Sequence, residues 1–435
     1  MRAVVIGASV AGLLAAAAIR HVFDEVVLLE RDILPVGEEL RPGVPQAGSC
    51  HFLLYPGAAA MDELVPGFVD LIVRDGARHV NIGETLILSR DGVSIPGRRM
   101  GMPVTLASRN FLETRLRARV REMAGITIRD GATVTGLVGD TRRVVGVSVA
   151  AGTPDPGTAT LTADLVIDAG GRTSRSARWL TELGHPAVRE RVVDSGQSYA
   201  TAWLPASSRE TITYEIGRLA VSGTAAAVAP IQNGLRQVLV FGRAEHRPST
   251  DPVELADRLR EYGCPALTEA ADEFTEDTPV HGYAKLINRR RLYHRMRSWP
   301  QRYLIVGDAL CMFNPTYGQG MSVAAREALV LHRRIDRLAA NPARTRAVQR
   351  RIARETDYPW LVATAQDARF TEHPSVLGPL VDTLVGRTTD RLADNPHLHR
   401  ALLQVYELRL PTALTHPTAW HALLRRRSPR RSPGA

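Results

Sequence analysis

Several short stretches carry residue types that could hold one extended, partly anionic ligand. Gly7-Ala8-Ser9-Val10-Ala11-Gly12 closes an apolar run and opens a small-residue helix. A strand, tight turn and helix N-terminus in that order present backbone N–H groups to a pyrophosphate. Gly7 allows the turn and Gly12 allows close helix–strand packing, whereas Ser9 replaces the second glycine and brings a side chain towards the phosphates. Glu30 lies 18 residues beyond Gly12, where a dinucleotide fold places the acid that hydrogen-bonds an adenosine ribose; Arg31 stands beside it. Arg109 opens a helix capped by Ser108, and a cation there opposes the helix dipole unless an anion arrives from elsewhere. Asp168 ends an apolar run and leads into Ala169-Gly170-Gly171-Arg172-Thr173-Ser174, a second Gly-rich turn. Asp308 follows another apolar run, and Gly318-Gln319-Gly320-Met321 precedes a helix expected to begin near Ser322. A helix N-terminus beside a carboxylate suits a polar ring and its polyol chain.

These groups need a framework of alternating strands and helices. The sequence predicts strands at 3–6, 26–29, 165–168 and 303–306, and a helix from Ser108 with Leu112, Leu116, Val120 and Met123 at helical spacing. Between 125 and 168 the runs 126–128, 133–135 and 144–149 read as a β-meander inserted in the nucleotide fold, with Val134 among them. Residues 84–88 and 93–95, around the turn signal Asp91-Gly92, begin an excursion into a second sheet. Alternating runs at 211–216, 225–230 and 237–241 form the floor of that antiparallel domain. Trp203, Tyr214 and Phe241 are its candidates for a bulky apolar pocket, with His51 and Phe313 facing the same space. The Pro/Gly-rich stretch 35–49 follows a cofactor strand, which places Arg41 and Gln46 within reach of the ligand. The expected division is a nucleotide-binding domain of 1–78, 109–183 and 285–345, a substrate-binding sheet domain of 79–108 and 184–284, a helical region of 346–424, and a basic tail of 425–435.

Composition narrows the partners. The formal charge of +10 invites comparison with nucleic-acid binders, but Lys285 is the only lysine among 55 basic residues. An arginine bias that complete reads as genomic composition, and five of the charges fall in the terminal run RRRSPRRSPGA, expected to be disordered. Cys50, Cys264 and Cys311 have neither zinc-site spacing nor a disulfide framework, so no metal is expected and a reduced cytoplasm fits. With an apolar run starting at Ala3, no leader peptide is expected, and no run approaches the roughly 20 residues that span a bilayer.

Taken together, GASVAG with Glu30, DLVIDAGGRTS, and YLIVGDALCMFNPTYGQGMSVAAREAL resemble the single-component FAD-dependent monooxygenases, the group of para-hydroxybenzoate hydroxylase and squalene monooxygenase. The resemblance implies an α/β fold with a glutathione-reductase-type Rossmann FAD-binding domain, β-meander, antiparallel-sheet substrate domain and C-terminal helices. It implies that Gly7, Ser9, Ala11 and Gly12 hold the FAD pyrophosphate, Glu30 the ribose, Arg109 the phosphate or ribitol region, and the Val134 backbone the adenine. Asp168 and Gly170 would serve FAD and NAD(P)H together, Asp308 the ribitol, and Gly320 and Met321 the pyrimidine edge of the flavin. Cys311 and Ser322 replace the His and Asn usual in aromatic hydroxylases, and the loop RPGVPQAGSCHFLLYPGAAAMDELVPGF and DYPWLVATAQDARF are similar to bacterial polyene epoxidases of polyether biosynthesis. The implied reaction is epoxidation of a bulky lipophilic secondary metabolite through a flavin 4a-hydroperoxide, with molecular oxygen and NADPH or NADH, or a partner flavin reductase. Hydroxylation of an aromatic or polyketide substrate is the alternative. A halogenase's active-site lysine and Trp-x-Trp-x-Ile-Pro segment have no match; an isoprenoid reductase shares the DAGGRTS-like turn and would work without oxygen.

Overall fold

Residues Arg2–Ile6 are almost wholly apolar and buried, as expected for a strand covered on both faces. In the computed structural model this strand is central to a parallel sheet ordered Tyr303–Ile305, Leu165–Asp168, Arg2–Ile6, Glu25–Leu29 and Ile126–Arg129. The structure describes residues 1–39, 50–90, 93–95, 97–150, 158–207, 211–216, 223–284, 286–367, 370–371 and 391–419. Arg41, Gln46, Asp91-Gly92, Lys285 and the basic tail lie outside them.

Register aligns the strand ends: Ile6 lies opposite both Leu29 and Asp168, and Asp168 opposite Ile305. Each of the turns at Gly7, Glu30, Gly170 and Gly307 therefore emerges at the carboxyl edge, the usual ligand side of an open α/β sheet. Gly7 has φ +95°, and a Cβ on it would meet the Ala169 carbonyl oxygen at 2.6 Å; one on Gly12 would meet the Gly7 oxygen at 1.9 Å. The helix Val10–Ile19 is buried on nearly every side, between the sheet and the helices Tyr55–Leu64 and Gly320–His332.

The meander comprises Val134–Gly139, Val144–Ala150 and Thr158–Thr162. Ile126–Arg129, read in the sequence as part of it, instead pairs in parallel with Glu25–Leu29. Its half-exposed alternation marks an edge strand, a pattern that does not reveal its partner.

The second sheet has the order Val280–Tyr283, Gln197–Pro205, Leu235–Arg243, Ala225–Pro230, Ile212–Glu215, Leu86–Arg90, Val93–Ser94. Residues 79–108 do not all join it. Arg78–Asn81 and Pro103–Ser108 pair with Cys50–Leu53 in a separate small sheet, and Ile82–Thr85 form one helical turn before the strand begins at Leu86. One face of the large sheet is covered by two helices that strand periodicity hid, Pro252–Arg260 and Pro265–Ala271. Asp251 caps the first by accepting from the N–H groups of Val253 and Glu254.

Helices Thr345–Arg354, Asp357–Asp367 and Pro396–Tyr406 follow. Among the described residues, no helix is long and apolar enough to cross a membrane. The last is tied down by Glu407, which accepts the Tyr55 N–H at 2.8 Å and is fully buried. Burial pushes its carboxyl up to about 7, against the opposing pull of Tyr55 and Arg409. The folded protein thus holds a proton that the unfolded chain releases near 4.5, so this residue's contribution to stability falls as pH rises from 4.5 to 7. Glu407→Gln is expected to flatten that decline, on the order of a few kcal/mol, in thermal melts across this range.

Candidate functional site

The aligned strand ends open into a cleft of about 470 Å³. At one end lie Gly7, Ser9, Ala11, Glu30, Arg31, Thr133, Val134 and Trp179; at the other, Asp308, Gly318, Gln319, Gly320 and Met321, with Arg109, Asp168 and Gly170 between. The sequence-predicted cofactor residues that the structure describes are thus brought together along one groove, with Gly12 a step behind it as the packing contact under Gly7.

Their side chains do more varied work than the motifs suggest. Glu30 is buried and braces the turn, accepting from the Ala8 N–H at 2.8 Å and the Asp32 N–H at 3.2 Å. Ser9 does not crowd the groove: its hydroxyl donates to Glu113 Oε2 at 2.6 Å and accepts from Arg109 Nη2 at 2.8 Å. Arg109 and Glu113 also approach to 3.5 Å, and Arg117 reaches the other Glu113 oxygen at 3.8 Å. Glu113 was missed in the sequence, although Arg109, Glu113 and Arg117 recur at i, i+4 and i+8 along one helix face. Arg31 donates to Thr173 at 3.2 Å, bridging the groove's mouth.

Asp168 faces its own loop. It accepts from the Gly170 N–H at 2.7 Å and from the hydroxyls of Ser174 and Ser176. Burial raises its carboxyl; these donors and Arg291 oppose the rise. Asp308 is half-buried on the groove wall, raised by desolvation and opposed by Arg109, Arg172 and Arg289. Two residues that line the groove carry buried polar atoms without a protein partner, Arg109 Nε and Gln319 Oε1, whereas that of Ser322, its Oγ, lies against Gly57 of the helix Tyr55–Leu64. Cys311 is buried in the strand Cys311–Met312, its thiol pushed up by desolvation.

The proposed pocket residues divide. His51 and Phe313 line the groove, where Tyr199, Tyr283, Leu286 and Met312 join them. Tyr214 and Phe241 stand one layer back, in a cluster with Tyr199 and Leu286. Trp203 is not brought to the cleft. It shares strand parity with Tyr199 but lies four residues on, about 13 Å along the strand, and is 37% exposed. Among the described residues, no cluster could hold a metal ion.

The FAD binding domain family matches residues 1–350. The chain belongs to that family. Protein Rv3254 of Mycobacterium tuberculosis (strain ATCC 25618 / H37Rv) is 31% identical over 398 residues, covering 87% of this chain and 82% of that protein. Among solved structures, the flavin-dependent brominase Bmp2 has a TM-score of 0.66 at 14% identity, covering 94% of both chains. For PqsL of Pseudomonas aeruginosa the TM-score is 0.61 at 17% identity, covering 91% of this chain and 97% of that one. 2-Methyl-3-hydroxypyridine-5-carboxylic acid oxygenase gives 0.59 at 17%, covering 97% and 95%. At these identities the likeness shows the fold, that of the para-hydroxybenzoate hydroxylase type.

The residues present fit FAD. The Gly7 cradle has no room for a side chain, a helix N-terminus and the unpaired Nε of Arg109 would be available to a pyrophosphate, and Asp308 would offer an acceptor to polyol hydroxyls. At the far end the first turn of Gly320–His332 turns its N–H groups on the groove, a donor set for an electron-rich ring edge.

Proposed function

We propose that this protein is an FAD-dependent NAD(P)H:oxygen monooxygenase that epoxidises a bulky lipophilic alkene of secondary metabolism. The reading is supported chiefly by the chemical end of the cleft, where Tyr199, Tyr283, Leu286, Met312 and Phe313 form an apolar wall beside Gly320 and Met321. Bound FAD, reduced by NADH, NADPH or a partner flavin reductase, supplies the oxygen chemistry. The chain's own part is to hold and shield. The wall excludes water from the reacting end, and the N–H groups at 320–322 stabilise negative charge on the ring's polar edge. Attack on an alkene requires no side-chain acid or base, whereas a phenol must lose a proton; a carboxylate at that end, Asp308, is assigned in this reading to the polyol of the cofactor. Aromatic or polyketide hydroxylation is the second reading, favoured by His51 on the same groove. The sequence resemblance to polyene epoxidases supports the first.

The test begins with purification. A yellow protein releasing FAD, with oxygen uptake and NADH or NADPH oxidation stimulated by a polyene, is the expected result. Product formed without oxygen would indicate a reductase, and activity only with an added flavin reductase would indicate a two-component system. A colourless protein that does not take up FAD overturns the reading.

A further inference from the structure

Asp367, the last residue of the helix Asp357–Asp367, is a fully buried carboxylate outside the cleft. Its Oδ2 accepts from Asn288 Nδ2 at 2.6 Å and Asn314 Nδ2 at 3.1 Å, and its Oδ1 from the Tyr317 hydroxyl at 2.5 Å. Backbone groups fix both amide orientations. Asn288 Oδ1 accepts the Asn314 N–H at 2.8 Å, and Asn314 Oδ1 accepts the Thr316 N–H at 3.1 Å, so each Nδ2 must face Asp367. Oδ2, which receives two N–H donors, has no room for a proton, and Oδ1 meets the Tyr317 hydroxyl. Burial raises this carboxyl, while Tyr317, Asn314, Asn288 and Ser195 pull it back.

The junction joins distant parts of the chain. Asn288 lies on the strand Ile287–Arg291, and Asn314 donates also to Gln197 at 2.9 Å, at the start of a strand of the large sheet. Asn314 and Tyr317 belong to the segment 314–319, whose Pro315, Gly318 and Gln319 line the groove ahead of the helix Gly320–His332.

We propose that Asp367 is a positioning residue: through Asn314 and Tyr317 it sets the backbone of 314–319, and thereby the affinity and environment of the flavin ring against that wall. The inference rests on the flavin reading of the cleft. It gives a task to the segment DYPWLVATAQDARF, whose last helical residue reaches the turn although 50 residues separate Asp367 from Tyr317.

The test titrates apoprotein with FAD and records the visible spectrum of the bound flavin. Asp367→Asn removes the charge and turns an N–H on the Tyr317 hydroxyl, which must then accept where it had donated, and is expected to raise the dissociation constant about tenfold, with an altered flavin band shape. Tyr317→Phe removes one bond without disturbing the buried amides and keeps the test decisive if Asp367→Asn fails to fold; about a threefold weakening with the same spectral change is expected. Thr364→Ala, which deletes a hydroxyl bonded to Trp360 in the same helix, should alter neither readout. Affinities and spectra unchanged in the folded junction variants, or an equal change in Thr364→Ala, would overturn the proposal. Wild-type protein that does not bind FAD would instead overturn the flavin reading itself.

Discussion

Arg109→Met is expected to raise the FAD dissociation constant about 100-fold, corresponding to about 3 kcal/mol. Arg109 is the first residue of its helix, where the dipole disfavours a cation, and its Nε is buried without a protein partner. Both features make sense when an anion completes the site. A pyrophosphate accepting one or two charge-assisted hydrogen bonds from this guanidinium gains roughly 1.5–3 kcal/mol from each. Methionine preserves much of the packing volume and leaves Glu113 beside Arg117, so the helix does not acquire an isolated buried anion. Ser9→Ala should have a smaller effect, because it removes only the hydroxyl that aims the guanidinium. Quenching of FAD fluorescence on titration into apoprotein measures both; an Arg109→Met constant within a factor of three of wild type would refute the anion-holding role.

The elements legible in the sequence were those whose cause is local. Gly7, Glu30, Asp168 and Asp308 each follow a short buried run, and parallel register alone places all of them on one edge of the sheet. The resemblance then supplied a ligand for that edge. What remained hidden depends on partners distant along the chain. Ile126–Arg129 looked like another meander strand because edge alternation is the same whichever sheet receives it. Trp203 has the right parity and the wrong distance, which only the register Tyr199 opposite Phe241 and Tyr283 reveals. Glu113 carries no motif, and the resemblance of DYPWLVATAQDARF assigns no role to its Asp367. Their importance arises when a helix face meets Ser9 at a separation of 104 residues, and when a helix end meets a turn from another part of the fold.

Asp308→Ala is expected to weaken FAD retention as strongly as the loss of Arg109, through the opposite sign of charge. Gly307 adopts φ +62° and donates its N–H to the buried Glu327 Oε2 at 2.6 Å, fixing the turn that carries Asp308 on the groove wall. Its carboxylate stands before the helix Gly320–His332: a Cβ on Gly320 would lie 4.0 Å from Asp308 Oδ1. Burial raises the carboxyl, and the charges of Arg109, Arg172 and Arg289 oppose that rise. Polyol hydroxyls would restore the donors that desolvation removes, each worth roughly 1.5–3 kcal/mol to a charged acceptor. Alanine removes that acceptor and leaves the field of Arg109, Arg172 and Arg289 unbalanced, whereas Asp308→Asn retains one oxygen and most of the shape. Asp308→Ala should therefore emerge from gel filtration largely without flavin, with a dissociation constant raised about 100-fold, and Asp308→Asn should fall between it and wild type. Equal flavin content in all three proteins would show that Asp308 shapes the wall without holding the cofactor.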